Sequence, residues 1–150
     1  MARILVVDDE PDLRQLVRTA LTYHGHQVAL AEDGQQALEA MTRQKPEVLV
    51  LDLMMPNMDG FGVLKEMKRQ GLTGEIKTLV LTCMNREADW LRGYKHGAHQ
   101  YLTKPFDPEE LADKVEMLLS MSENELTRYR ESEMDTSQLL SRLESVFGLG

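Results

Sequence analysis

The chain has 150 residues, one cysteine and a formal charge of −8 at pH 7, a size that lets one domain bury a full core without staples. The single Cys83 excludes an intrachain disulfide, and the acidic balance without clustered Lys and Arg argues against a grip on a phosphate backbone. No apolar stretch approaches a membrane span and nothing resembles a signal peptide, so a soluble cytoplasmic protein is expected.

Ile4-Leu5-Val6-Val7 is an unbroken apolar run that ends in Asp8-Asp9-Glu10. Continuous rather than alternating apolar residues mark a strand covered on both faces, which is the signature of a parallel sheet. A helix pattern follows with Leu13, Leu16, Val17, Ala20 and Leu21 on one face, closed by Gly25. Gln27 to Ala31 is the second predicted strand, and Asp33-Gly34 opens a helix carrying Ala37, Leu38 and Met41. Pro46 precedes the third strand, Val48-Leu49-Val50-Leu51, which ends in Asp52.

The loop from Met54 through Pro56 and Asn57 to Gly60 turns into a helix bearing Val63, Leu64 and Met67, with Asp59 as its N-cap. Thr78-Leu79-Val80-Leu81 is the fourth strand and finishes at Thr82; a fourth helix runs from about Arg86 to His96 and stops at Gly97. Gln100-Tyr101-Leu102 is a short fifth strand, followed by Thr103-Lys104-Pro105-Phe106 and a fifth helix from Pro108 with Leu111, Val115, Leu118 and Leu119 inside.

Residues 1–120 are expected to form one α/β domain and 121–150 a helical C-terminal extension. Ser122 to Ser132 is charged and breaker-free, so it either extends the fifth helix or restarts from a Ser122/Glu125 capping box. Asp135-Thr136-Ser137-Gln138 offers a second helix start, with Leu139, Leu140, Leu143, Val146 and Phe147 as an apolar stripe. That stripe needs a surface to pack on. Its own domain, a dimer and another partner all remain open, as does a frayed tail.

Strands that alternate with helices imply parallel βαβ units, and five strands suit the doubly wound, flavodoxin-like order 2-1-3-4-5. In that order strands 1 and 3 are adjacent, which gathers Asp8, Asp9 and Asp52, with Thr82 and Lys104 on the same rim. Carboxylates about 4 Å apart repel by roughly 4 kcal/mol per pair at an effective dielectric near 20. A divalent cation is the natural relief.

The runs Val6-Val7-Asp8-Asp9-Glu10 and Leu51-Asp52-Leu53-Met54-Met55-Pro56-Asn57-Met58-Asp59-Gly60, then Thr82, then Tyr101-Leu102-Thr103-Lys104-Pro105-Phe106, together resemble the receiver domain of a bacterial two-component response regulator. The resemblance covers residues 1 to about 120. It implies that Asp52 takes a phosphoryl group from the phosphohistidine of a sensor histidine kinase or phosphotransfer protein and becomes an aspartyl phosphate. It also implies Mg2+ as cofactor, held directly by Asp9, through water by Asp8, and by Asp52 and the backbone carbonyl of Met54. Lys104 would pair with one phosphoryl oxygen and Thr82 with another, while Tyr101 would turn from solvent into the space that Thr82 leaves. A cis Lys104–Pro105 bond fits the same pattern.

The switch would bias the face built from the fourth helix, fifth strand and fifth helix, and so control a downstream protein target or output domain. Such a protein catalyses its own phosphorylation and dephosphorylation but is not a turnover enzyme. Neither nucleic acid nor membrane is an expected direct partner. Residues 121–150 are too few for a winged helix, an ATPase or a cyclase domain, so output by protein contact is expected unless the chain is a fragment.

Met54 and Met84 stand two residues beyond Asp52 and Thr82, where many relatives place polar side chains, which points to slow loss of the phosphoryl group. His99-Gln100 replaces acidic residues that pair across the dimer of many such regulators, which leaves a phosphorylation-dependent homodimer in doubt. Trp90 and Tyr94 are candidates for an apolar partner site near the switch. A phosphatase of the haloacid dehalogenase type is the competing enzyme reading. It would place its nucleophile at Asp8 with a second aspartate two residues later, where this chain has Glu10.

Overall fold

In the computed structural model, the described residues are 2–55, 58–83, 97–129, 131–132 and 139. Five parallel strands, β1 (Arg3–Val7), β2 (Gln27–Ala31), β3 (Val48–Asp52), β4 (Lys77–Thr82) and β5 (Gln100–Thr103), form one sheet in the order β2-β1-β3-β4-β5. This is the doubly wound order expected from the chain. Helices α1 (Pro11–Tyr23), α2 (Gly34–Arg43), α3 (Gly60–Arg69) and α4 (Pro108–Ser120) flank it. The helix expected over 86–96, with Trp90 and Tyr94, and the residue Met84 lie outside the described residues.

Both faces of the sheet are covered at its centre, which is why β1 from Ile4 and β3 as far as Leu51 are buried and run apolar without alternation, whereas the edge strand β2 alternates exposed and half-buried residues over 27–30. Leu5, Val7, Leu49, Leu51 and Val80 point into a core shared with Ala37, Met41, Val63, Leu64 and Met67. Ile4, Val6, Val48, Val50, Leu79 and Leu81 point the other way, to Val17, Leu21, Leu111, Val115 and Leu118. Successive strand residues thus alternate between the two cores, as the pleat requires.

Leu16 departs from expectation: it is 48% exposed, while Val17, Ala20 and Leu21 carry the buried face of α1. A step of about 100° from Val17 places it at the edge of that stripe, beyond reach of the sheet.

Local chemistry starts the helices where they are needed. Asp33 accepts the Gln36 N–H at 2.9 Å and Asp59 accepts the Gly62 N–H at 2.8 Å, so both act as N-caps. Gly25 and Gly97 take φ of 89° and 107°, the left-handed region that favours glycine. Glu10 occupies the N-cap position of α1 without a side-chain cap bond, so capping does not account for it.

After α4 the chain breaks at Met121 and re-enters helix over 123–129. The capping box closes reciprocally there: Glu125 N–H donates to Ser122 Oγ at 3.2 Å, and Ser122 N–H to Glu125 Oε1 at 3.3 Å. Lys77 Nζ donates to the carbonyls of Leu119 and Met121 at 3.2 and 3.0 Å, which satisfies the end of α4 and fixes the break. Leu126 is buried in the core with Val115 and Leu118, so 122–129 packs on its own domain. Leu139 is exposed, and the rest of the stripe predicted from it to Phe147 lies outside the described residues.

Candidate functional site

The carboxyl ends of β1, β3, β4 and β5 meet at one rim. Asp8 directly follows β1, Asp52 closes β3, Thr82 closes β4, and Lys104 directly follows β5. Pairing sets their heights: Val7 lies opposite Leu51, Asp52 opposite Leu81, and Thr82 opposite Thr103. The Lys104 N–H donates to the Thr82 carbonyl at 2.8 Å and so extends the β4–β5 ladder by one bond.

Lys104 is the hub. Its Nζ lies 3.0 Å from Asp8 Oδ2, 3.4 Å from Asp52 Oδ2 and 3.8 Å from Glu10 Oε1. Asp8 is fully buried, with Oδ1 accepting the Glu10 N–H at 2.9 Å and Oδ2 accepting from Lys104. The Asp8 carbonyl is held by Arg14 Nη1 at 2.7 Å. The residue two positions beyond Asp8 is Glu10, whose carboxylate faces the same ammonium, and not the aspartate that the dehalogenase-type reading requires.

Asp52 is 2% exposed, and its Oδ1 accepts the Met54 N–H at 3.1 Å. Burial, joined by the nearby Asp8 charge, raises its carboxyl from 3.8 to about 6, against the opposing pull of Lys104 and the Met54 N–H. For Lys104, burial works against the charge, but the Asp8 hydrogen bond and the charges of Asp52, Asp8 and Glu10 prevail and raise its pKa. One ammonium therefore serves three carboxylates, and the rim keeps a surplus of negative charge.

Asp8, Asp9 and Glu10 carry carboxylate oxygens that all lie within 4.8 Å of one another. Hard oxygen donors at this spacing suit Mg2+, which takes a few protein oxygens and fills the rest of its shell with water and phosphate. Glu10 is the addition that the chain did not reveal. It faces the same ammonium as Asp8 and Asp52.

Gly60 explains how closely the β3 end can be packed. A Cβ there would stand 2.7 Å from the Asp52 carbonyl oxygen and 2.7 Å from Leu53 Cα. Its N–H donates to the Leu53 carbonyl at 3.0 Å, which fastens the start of α3 to the residue after Asp52.

Thr82 is fully buried. Tyr101 is 6% exposed and packs in the core that also holds Leu51 and Val80, rather than standing in solvent as expected. Its place opposite Val80 in the sheet puts it two residues from Thr82 in register, deep enough for the ring to be covered. His99 and Gln100 are likewise buried, each 6% exposed. His99 Nδ1 accepts the Thr78 N–H at 3.0 Å, so this pair is committed to its own fold. The Lys104–Pro105 peptide bond is cis. Met54 is 55% exposed beside the rim, and Cys83 is exposed next to Thr82.

Comparison with known proteins bears on this arrangement. A family model described as response regulator receiver domain matches residues 4–116. The response regulator MprA of Mycobacterium leprae is 41% identical over 117 residues, which are 78% of this chain and 50% of that protein. The DNA-binding dual master transcriptional regulator RpaA of Synechocystis is 40% identical over 119 residues, 79% of this chain and 49% of its own length. The chain thus spans about half the length of the curated relatives it matches.

Among solved structures, the chemotaxis response regulator CheY4 of Vibrio cholerae superposes with a TM-score of 0.75 at 33% identity, covering 79% of this chain and 98% of its own. The response regulator TrrA of Thermotoga maritima, in complex with Mg(2+)-BeF, superposes with a TM-score of 0.70 at 33% identity, covering 79% and 99%.

Proposed function

The chain belongs to the response regulator receiver domain family, and on that premise we propose that Asp52 is its phosphoacceptor and that phosphorylation sets the state of the β5 face. The observation that carries the proposal is the convergence of Asp8, Asp52 and Lys104 within 3.0 and 3.4 Å at the ends of three strands. An Asp52 oxygen attacks the phosphorus of a phosphohistidine; the P–N bond breaks as the P–O bond forms, and the imidazole leaves. The Met54 N–H holds Oδ1, which orients the carboxylate with Oδ2 toward Lys104. Lys104 then pairs with a phosphoryl oxygen, and the Thr82 hydroxyl donates to another.

The carboxylates of Asp8, Asp9 and Asp52 and the Met54 carbonyl are the proposed Mg2+ ligands, with Glu10 beside them. Bound Mg2+ would neutralise charge on the carboxylates and on the transferring group. That the similar TrrA structure is a complex with Mg(2+)-BeF supports Mg2+ as the ion. In hydrolysis a water oxygen attacks the phosphorus, the P–O bond to Asp52 breaks, and inorganic phosphate leaves with the Asp52 carboxylate restored. The exposed Met54 thioether neither orients nor activates that water, so the phosphorylated state is long-lived.

A sensor histidine kinase or phosphotransfer protein is the proposed donor, in the cytoplasm of a bacterium, and a protein target or output domain is the proposed receiver of the signal. RpaA is described as DNA-binding. Here the acidic balance of −8 supports protein rather than nucleic-acid contact by this part of the molecule. Among the described residues, no helix is long and apolar enough to cross a membrane.

Borohydride reduction after reaction with a phosphorylated histidine donor tests the site. An acyl phosphate at Asp52 yields homoserine at position 52 in the peptide map. Homoserine at position 8 or 9 instead would reassign the nucleophile.

A further inference from the structure

We propose that the helix over 123–129, with its cap Ser122, is mechanically coupled to the phosphorylation site through β5, with Gln100 as the coupling residue; the inference rests on the phosphoacceptor role of Asp52. β5 has only four residues, Gln100–Thr103, and joins two anchors. At its carboxyl end stands Lys104, whose Nζ is divided among Asp8, Asp52 and Glu10. At its amino end stands Gln100, whose side-chain amide is engaged at both ends: Oε1 accepts the Tyr101 N–H at 3.0 Å, and Nε2 donates to the Tyr129 hydroxyl at 2.9 Å.

A strand rises about 3.3 Å per residue, so the two anchors sit roughly 13 Å apart on one stiff segment. When Lys104 leaves Asp8 for a phosphoryl oxygen, the strand it terminates is drawn along. A hydrogen bond loses most of its strength once the heavy atoms part beyond about 3.5 Å. A shift well under 1 Å at Gln100 therefore weakens the bond to Tyr129. Packed interfaces convert such small displacements into discrete rearrangements.

The seat of the helix is suited to release. Leu126 is its buried apolar residue, while Glu123, Asn124, Glu125, Thr127 and Arg128 are exposed. Beside it lies an open cavity lined by Thr73, Glu75, His99, Glu123, Leu126 and Thr127. Gln100 Oε1 also occupies the Tyr101 N–H on β5, an edge strand of the sheet.

Coupling of this kind is reciprocal. Amide exchange of the full chain is to be followed by mass spectrometry with Mg2+ alone and with Mg2+ plus beryllofluoride, a non-covalent phosphoryl mimic; reaction with a small acyl phosphate and intact mass serve as control. Exchange over 122–129 should speed up about fivefold with the mimic, the effect of one neutral hydrogen bond. In Tyr129→Phe, which keeps the ring, exchange should be fast already and no longer respond. The same variant should bind the mimic about fivefold more tightly. Phosphoryl gain with unchanged exchange over 122–129, or unchanged mimic affinity in Tyr129→Phe, overturns the coupling while leaving the phosphoacceptor intact. Absence of any phosphoryl gain removes the premise, and the coupling falls with it.

Discussion

Asp52 is kept buried at a cost. Its folded pKa of about 6 lies above the ordinary 3.8, so the native state binds the proton more tightly, and stability falls as pH rises from about 4 to about 6. Above that window the charged carboxylate costs on the order of 3 kcal/mol, an upper figure for a partly compensated site. Asp52→Asn, which keeps shape and removes charge, is expected to raise the thermal midpoint of chelator-treated protein at about pH 8 by several degrees, and to add little at about pH 4. A calorimetric series over pH reads both limits. Met54 makes a kinetic counterpart: replacing its exposed thioether by an amide, Met54→Asn, is expected to shorten the phosphoryl lifetime about tenfold, some 1.4 kcal/mol of barrier. Decay of the phosphorylated form without its kinase measures it, and an unchanged lifetime would assign Met54 to packing alone. Asp8, Asp9, Asp52, Thr82 and Lys104 were legible in the chain because strand ends are marked by where apolar runs stop. Glu10 was not, because its approach to Lys104 depends on how the first turn of α1 leaves β1.

At the scale of elements, α3 shows how a helix start fixes a site. Asp59 caps it, Gly60 lets its backbone touch the end of β3, and Val63, Leu64 and Met67 bury its inner face. Gly60→Ala would push a methyl group into the Asp52 carbonyl and Leu53 Cα, backbone atoms that cannot turn aside. A loss of about 1 to 3 kcal/mol in urea unfolding is expected, with slower phosphorylation because the carboxylate is displaced. The strands and helix faces were legible from periodicity, since burial on two faces or one stripe writes itself into spacing. Leu16, Tyr101 and Gln100 were not: Leu16 lies at the margin of its stripe, and the other two are covered by parts of the chain that periodicity within β5 cannot register.

Among the described residues, the molecule is a sheet covered on both faces, with the carboxylates of Asp8, Asp9, Glu10 and Asp52 gathered against Lys104 at one rim. Topology was legible because five strands alternating with helices leave few arrangements, and the one adopted brings β1 beside β3. The seating of 122–129 was not, because a capping box and one leucine fix where a helix starts but not what it packs against. Relief of the rim by a cation is a global property: Mg2+ at about 100 times its dissociation constant should stabilise the fold by roughly 2.7 kcal/mol. Thermal melts with and without Mg2+ should show that gain and its loss in Asp9→Ala; equal melts would leave the carboxylate cluster without a metal role. The most direct measurement is the intact mass of the protein after exposure to a small acyl phosphate and Mg2+. One added phosphoryl group, present in the native chain and absent in Asp52→Ala, is the predicted result. No gain, or a gain that survives Asp52→Ala, would contradict the assignment of Asp52 as phosphoacceptor.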